Sequence, residues 1–442
     1  MSDFDLLVRG HEQDIGVSGG KIVALGTNLT GSATAEIDAQ NLSIFPGAID
    51  AHVHFNEPGR TDWEGFATGS RAAAAGGTTT VFDMPLNAHP PTIDGPSFDA
   101  KRAAAEKNSI VDFGLWGGLV PGNLEQLQTL RDRGVVGLKA FMCASGIEDF
   151  PEVDRAQLRA GMGRSAELDL LVAVHAEYNE LIRSQPGRET VRDFLDSRPV
   201  EAELAAIRTA LDLAQETGCR LHLVHMSCGR GVALVAEARA QGVNVTCETC
   251  PHYLFLTEED MVRLGAVAKC APPLRTRDEQ DELWRRLADV ATIGSDHSPS
   301  PWSMKEEKNF FRVWGGISGC QHLLPLLLDA AEKISPQEIA RLTSRGVAER
   351  FRISGKGGLQ IGHDADLTLV DLAAAETVCA ETLHYRHRHT PYLGRRLRGR
   401  IVRTVLRGQT IFHNGNLGPR PAGRLVRPEA SSSFENQDIP AA

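Results

Sequence analysis

Ile49-Asp50-Ala51-His52-Val53-His54-Phe55-Asn56-Glu57-Pro58-Gly59-Arg60 places two imidazoles on one face of a short apolar strand, because residues two apart in a strand project to the same side. Turn residues bound the strand, Phe45-Pro46-Gly47 before it and Glu57-Pro58-Gly59 after it. Neutral histidines held side by side are half of a metal site, since imidazole nitrogen is a preferred ligand of zinc and its neighbours. Downstream the same pattern recurs, an apolar strand followed by an amphipathic helix. Strands are predicted at residues 49–54, 79–84, 111–116, 136–141, 171–175, 221–225, 243–248 and 292–296. Amphipathic helices are predicted between them, for example at 62–75, 123–133, 200–216 and 231–240. Eight such alternations over residues 49–350 predict a closed parallel barrel with its helices outside.

The ends of the chain read differently. Residues 1–48 contain short strands with glycine turns, at 5–10 and 21–26 for example. A helical block at 318–351 is followed by strands at 366–370 and 401–406. Neither end buries a core alone, so residues 1–48 and 351–427 are expected to share one small β domain. The expected class is therefore α/β, a (β/α)8 TIM-type barrel with a small β domain built from both chain ends. Residues 428–442, with Ser431-Ser432-Ser433, are expected to fray.

Of the 442 residues, 42% are hydrophobic and 24% charged, enough for a sizeable core. A net charge of −10 argues against general affinity for nucleic acid or an anionic membrane. No run approaches the roughly 18 apolar residues of a membrane span. The acidic start Met1-Ser2-Asp3-Phe4-Asp5 lacks a secretory signal, and a cytoplasmic location is expected. Eight scattered cysteines suit reduced thiols, and Cys247-Glu248-Thr249-Cys250 has no second pair to make it a zinc or redox motif. The segment 385–407 carries eight arginines and no acid. Its alternation with Leu397, Ile401, Val405 and Leu406 reads as a solvated strand face rather than a nucleic-acid surface.

Barrel enzymes carry their chemistry at the C-terminal ends of the strands. Read in order, those ends supply His52 and His54, Lys139, His175, His225 and Asp296. Singly, a histidine can be a bonded core residue and Asp296 a helix cap. Lys139 is the oddity, since an unpaired ammonium inside a barrel is costly. It could pair with Asp296 or act as a Schiff-base lysine. Neither role accounts for four convergent histidines. A metal cluster does, if carbon dioxide carboxylates Lys139 and turns a cation into a bidentate anion that bridges two ions. His52, His54 and Asp296 would then hold one ion, and His175 and His225 the other. Two divalent ions with a carbamate, an aspartate and a bridging hydroxide leave a mildly positive, Lewis-acidic centre.

These residues resemble the cyclic-amide branch of the amidohydrolase superfamily, which includes dihydroorotases, hydantoinases and allantoinases. The motifs are His52-Val53-His54, Lys139, His175-Ala176-Glu177, His225-Met226-Ser227, Glu248-Thr249-Cys250-Pro251 and Ser295-Asp296-His297-Ser298-Pro299. The resemblance implies hydrolysis of a ring amide at two divalent metal ions, usually zinc, with Asp296 moving the proton and with a homo-oligomer, dimer or tetramer. Cobalt, manganese or iron would suit the same ligands. Dihydroorotases place an arginine where this chain has Asn56, so a carboxylate clamp is missing. Hydantoinases usually carry a tyrosine just after the lysine, where this chain reads Phe141-Met142-Cys143-Ala144-Ser145-Gly146. That role then passes to a metal ion or Ser145. The stretch 54–65, Met84-Pro85-Leu86-Asn87, Phe150-Pro151 and Trp314-Gly315-Gly316-Ile317-Ser318 are similar to allantoinases. Allantoin, neutral and rich in amides, suits Asn56 and backbone groups near Gly315 and Gly316. His252 and His297 are read as supporting or packing residues. The other readings are a hydantoinase, dihydropyrimidinase or dihydroorotase type, a Schiff-base lyase, and a non-catalytic scaffold. The last is disfavoured because all six ligand positions are filled.

Overall fold

The computed structural model describes residues 2–183, 187–418 and 422–430. Parallel strands Ala48–Val53, Thr78–Asp83, Asp112–Leu115 with Gly117–Gly118, Leu138–Phe141, Leu171–His175, Arg220–Leu223, Val245–Thr249 and Thr292–Ile293 follow one another around the barrel. The ring closes where Val53 bridges His297 and the amide of His54 donates to the carbonyl of His297 at 2.8 Å. Asp50 fixes the same seam, accepting from the amides of Ser295 at 2.9 Å and His52 at 3.2 Å. The TIM-type barrel expected from the strand–helix alternation is thus present.

Several boundaries differ from the sequence reading, each for a local reason. The last strand stops at Ile293 rather than 296, because Asp296 sits in the left-handed region at φ 47°. The sixth strand stops at Leu223, and His225 beyond it has φ 41°. The first barrel helix is Phe66–Ala75, not 62–75. Gly65 precedes it at φ 85°, and the Glu57 carboxylate accepts from the Phe66 amide at 2.8 Å, satisfying an otherwise orphaned donor. Helices Gly95–Asn108 and Arg155–Glu167 fill two further places in the alternation, and they begin with capping boxes at Asp94 and Asp154. The block 318–351 is broken into Leu323–Asp329, Pro336–Ala340 and Gly346–Phe351.

Phe351 rises from that block into the barrel. Its ring meets Phe82 at 5.2 Å, Trp116 at 5.3 Å and His222 at 5.5 Å, all near edge-to-face. The Trp116 indole is fully buried and donates to the Ala51 carbonyl at 3.0 Å. Ile49, Ala51, Met84, Leu171 and Ala173 complete this packed interior.

Strands from both chain ends stand outside the barrel. Ser43–Pro46 pairs with Leu367–Thr377, which continues through Arg396–Leu406, Gln409–His413 and Asn416–Leu417. A second sheet is built from Phe4–Gly10, Asp14–Ser18, Lys21–Gly26 and Ala33–Ala39. Leu6, Val8, Ile15, Val17 and Ile22 share a core with Leu367, Leu369 and Val405. Lys356 joins domain to barrel, its ammonium lying 2.8, 3.0 and 2.6 Å from Asp112, Asp364 and Asp366. The arginine-rich stretch forms a paired strand only over Arg396–Leu406, and the arginines flanking that strand meet acids, Arg407 with Asp112 and Arg395 with Asp329. Fraying was expected from 428, yet the Glu429 amide donates to the Arg352 carbonyl at 2.9 Å. Residues 431–442 lie outside the described residues. Among the described residues no helix is long and apolar enough to cross a membrane.

Candidate metal centre

His52, His54, Lys139, His175, His225 and Asp296 all line one cavity of about 370 Å³ at the barrel mouth. Five of the six are buried, and Asp296 is half-buried, so the polar groups meet where water screens them poorly. Asp296 Oδ1 lies 3.2 Å from His52 Nε2 and 3.4 Å from His54 Nε2. His175 Nδ1 lies 3.1 Å from His225 Nε2, and Lys139 Nζ lies 3.5 Å from the same nitrogen. The two halves touch, the rings of His52 and His225 standing 5.4 Å apart.

A carboxylate the sequence reading did not single out as a partner orients one ring in each half. Glu248 Oε1 is 2.7 Å from His52 Nδ1, and Glu177 Oε2 is 2.8 Å from His175 Nε2. An acceptor on one ring nitrogen fixes the proton there and leaves the lone pair of the other facing the cavity. Burial raises the Glu177 carboxyl, but Arg198 and His175 outweigh it and hold it well below the usual carboxylate range. Arg198 grips both oxygens of Glu177, at 3.0 and 2.6 Å. Glu248 is likewise held down to about 2, its burial overcome by His52 and His222. The signal for these partners was in the quoted motifs His175-Ala176-Glu177 and Glu248-Thr249-Cys250, where the acid lies beside a ligand position.

Charge state follows from the same surroundings. Burial pushes His54 and His175 down and His225 well down, which favours neutral imidazole, the form that binds a metal. Burial also pushes Lys139 down to about 8, against the pull of Asp296 and Glu248. Asp296 goes the other way. Burial raises it, but His52 and His54 more than reverse that and keep it ionised far below its ordinary range. His54 Nδ1 and His225 Nδ1 are buried with no hydrogen-bond partner among the described residues. Ligand atoms of His52, His54 and Asp296 lie within 4.8 Å of one another, close enough to share one cation. The donor set of imidazoles and a carboxylate therefore fits a divalent metal.

Two other clusters do not. Cys143 beside His175 and Glu177 is a thiol that burial pushes up to about 12, and Arg198 already serves Glu177. Asp112, Asp364 and Asp366 are already paired with the cations of Lys356, Lys21 and Arg407. Cys247 and Cys250 are both buried free thiols, the first pushed up to about 12.

The expected substrate residues divide. Ser145, Gly315 and Gly316 line the cavity, but Asn56 does not. Asn56 takes φ 63° at the turn leaving the first strand and points its amide at the Pro299 carbonyl, 3.4 Å away. Asn87, from the allantoinase-like stretch, lines the cavity instead. The Ser145 hydroxyl is turned into its own loop, donating to the carbonyl of Phe150 at 2.5 Å. His252 and His297 are outside the cavity lining. His297 accepts from the Gly319 amide at 3.1 Å and stacks on Tyr385 at 5.1 Å, a packing role.

Residues 43–411 match the amidohydrolase family. A protein from Rubrobacter xylanophilus named allantoinase is 55% identical, the match covering 97% of this chain and 99% of that one. Another allantoinase, from Solibacter usitatus, is 50% identical over 95% of this chain and 94% of its own length. Among solved structures, the L-hydantoinase (dihydropyrimidinase) of Arthrobacter aurescens superposes with a TM-score of 0.93 at 32% identity, covering 96% of this chain and all 100% of its own. The dihydropyrimidinase of Brevibacillus agri gives 0.88 at 29% identity over 97% and 99%. On the strength of a match that runs through the barrel and both flanking segments of the β domain, the chain belongs to the amidohydrolase family.

Proposed function

We propose that the protein is an allantoinase, hydrolysing a ring amide of allantoin to open the hydantoin ring and give allantoate. In this reading His52, His54 and Asp296 would hold one divalent cation, zinc foremost, and His175 and His225 a second. Lys139, as a carbamate, would supply an anionic ligand to the pair. The observation that carries the reading is the convergence of four histidines, a lysine and an aspartate on one cavity. The substrate is supported by the allantoinase names of relatives at 55% and 50% identity.

When bound, the metal pair would polarise the ring carbonyl and lower the pKa of water. The chain's own groups do the rest. The neutral amine of Lys139, made accessible by a pKa of about 8, adds carbon dioxide. A nitrogen–carbon bond forms and one nitrogen proton leaves, so the neutral amine becomes an anion. Asp296 stays ionised beside His52 and His54, so one of its oxygens can accept a proton as water oxygen adds to the carbonyl carbon. The same oxygen then returns that proton to the ring nitrogen as the carbon–nitrogen bond breaks. Glu177 and Glu248 hold the rings of His175 and His52 in place through both steps.

A homo-oligomer in the cytoplasm completes the reading. The eight free cysteines suit a reducing compartment. The deciding experiment is turnover of allantoin, hydantoin, dihydrouracil and dihydroorotate side by side, with metal content per chain. Allantoin is expected to lead by a wide margin with two metal ions bound. Preference for dihydrouracil or hydantoin would move the protein to the dihydropyrimidinase type, and a metal-loaded protein inert toward all four would sink the reading.

A further inference from the structure

One wall of the cavity is the segment from Phe311 to Gly316, which lies outside any helix or strand apart from the turn Trp302–Met304 that leads into it. A segment without a ladder has to satisfy its carbonyls elsewhere. Two buried lysines do this. Lys269 Nζ donates to the carbonyls of Phe310, Phe311 and Val313 at 2.7, 3.2 and 2.6 Å. Lys305 Nζ donates to those of Ala266, Trp314 and Gly316 at 3.2, 2.8 and 2.8 Å. An ammonium has three donors, so both are saturated by backbone oxygen.

Neither lysine has a carboxylate within ion-pair distance among the described residues. Burying an ammonium without an acid is costly, so two on one segment mark a place where backbone position matters. The ring faces of Phe194 and Phe310 lie 4.7 and 5.2 Å from the Lys269 ammonium and complete its cage. The far end of the wall is fixed independently. The Gly316 amide donates to the Lys269 carbonyl at 2.8 Å, and at φ 158° a Cβ there would stand 2.1 Å from the Ser298 carbonyl oxygen.

Arg312 sits between two of the gripped carbonyls. It is exposed, lines the cavity, and has no acid partner among the described residues. A solvated arginine is the usual fate of such a residue. Here its backbone is held on both sides by the Lys269 ammonium, through the carbonyls of Phe311 and Val313, and the residue lines the cavity.

We propose that Arg312 is a specificity-determining residue that donates to a carbonyl oxygen of the substrate away from the scissile amide, and that Lys269 and Lys305 are positioning residues for the ledge carrying it. The proposal rests on the allantoin reading, in which the hydantoin ring bears a ureido arm with its own carbonyl. A guanidinium only donates, so that oxygen is its natural acceptor. The ring without the arm should not sense Arg312.

The test uses the full-length, zinc-loaded protein with Arg312→Gln, Arg312→Lys and Lys305→Met, on allantoin as substrate and on hydantoin as alternative substrate or competitive inhibitor. Arg312→Gln is expected to raise KM for allantoin about tenfold with kcat within about twofold, the loss of one charged hydrogen bond. Arg312→Lys recovers part of the loss, and the hydantoin constants and metal content do not move. Lys305→Met should shift KM in the same direction. An unchanged KM in Arg312→Gln, or equal weakening of hydantoin and allantoin, overturns the proposal. If Lys305→Met does not fold, the Arg312 variants still decide, because that side chain is exposed. Wild-type protein inert toward allantoin would refute the functional reading itself, whereas an active wild type with an indifferent Arg312→Gln refutes only the ledge.

Discussion

Inside the barrel Phe82, Trp116 and Phe351 meet at 5.2 and 5.3 Å, while at its mouth the rings of His52, His54, His175 and His225 crowd together at 4.6 to 5.5 Å. The same strands build both. In the interior the buried indole nitrogen of Trp116 finds its acceptor. At the mouth His54 Nδ1 and His225 Nδ1 find none among the described residues, and His225 and Asp296 take left-handed backbone. Each buried unpartnered group costs about 1–3 kcal/mol, and each strained residue about as much. The interior stabilises the fold; the mouth draws on that stability to keep reactive groups close. A bound cation would offset the difference, since it binds the folded arrangement and not the open chain.

The sharpest way to break this comparison is Asp296→Asn. The amide keeps the shape but cannot carry a proton, so kcat for allantoin should fall by about 10²–10⁴-fold. Circular dichroism and the melting midpoint should stay near wild type. Substantial remaining turnover would remove Asp296 from its role. Trp116→Ala is the mirror experiment. A large buried side chain is lost from a packed interior, and denaturant unfolding should show a loss of about 3–5 kcal/mol. Metal affinity of the folded fraction should change little. A variant that kept its stability and lost its metal would show that the two regions are not separable.

Glu177→Gln tests the supporting layer between them. The glutamine can still lie against His175, but it no longer balances Arg198 or draws the ring proton. Affinity at the His175–His225 half should drop about 10–100-fold by metal titration, with His52, His54 and Asp296 spared. Equal loss from both halves would contradict the assignment of one carboxylate to each half.

If Lys139 is carboxylated as proposed, assembly of the mouth depends on pH. Its folded pKa of about 8 lies below the usual lysine value, so the neutral amine that adds carbon dioxide grows as pH rises toward 8 and then levels off. Chelator-stripped protein given zinc at a fixed concentration of dissolved carbon dioxide should regain activity at an initial rate that climbs about tenfold per pH unit below 8. Omitting carbon dioxide should flatten that climb. A rate indifferent to both would argue against a carbamate.

The barrel and the residues gathered at its mouth were legible because the pattern is periodic. Eight apolar strands repeat a signal that local turns do not blur, and five of them lead into the histidines, lysine and aspartate of the cavity. Boundaries were less legible. Asp296 and His225 lie beyond their strands because left-handed residues end the ladder first, and sequence does not encode φ at a non-glycine position. Glu177 and Glu248 stood in quoted motifs, yet their roles appear only once Glu248 on the seventh strand meets His52 on the first. The ledge was least legible of all. Lys269 and Lys305 act on backbone carbonyls, which are the same at every position and so leave no pattern to read.

Ser145 draws the comparison to its finest point, because it lines the mouth but is bonded like a residue of the interior. The role of the missing tyrosine was expected to pass to a metal ion or to Ser145. Its hydroxyl instead donates to the Phe150 carbonyl at 2.5 Å and accepts from the Ile147 amide at 3.2 Å, the arrangement of a loop fastener. A hydroxyl has one proton, so donating it to the loop leaves none for a substrate. Ser145→Ala should therefore lower kcat/KM for allantoin by no more than about threefold, with a stability loss of about 1 kcal/mol from the broken loop bond. A hundredfold fall in kcat with unchanged stability would mean that the loop releases the hydroxyl when substrate arrives, and the boundary between fastening and reacting groups at the mouth would have to be redrawn around residue 145.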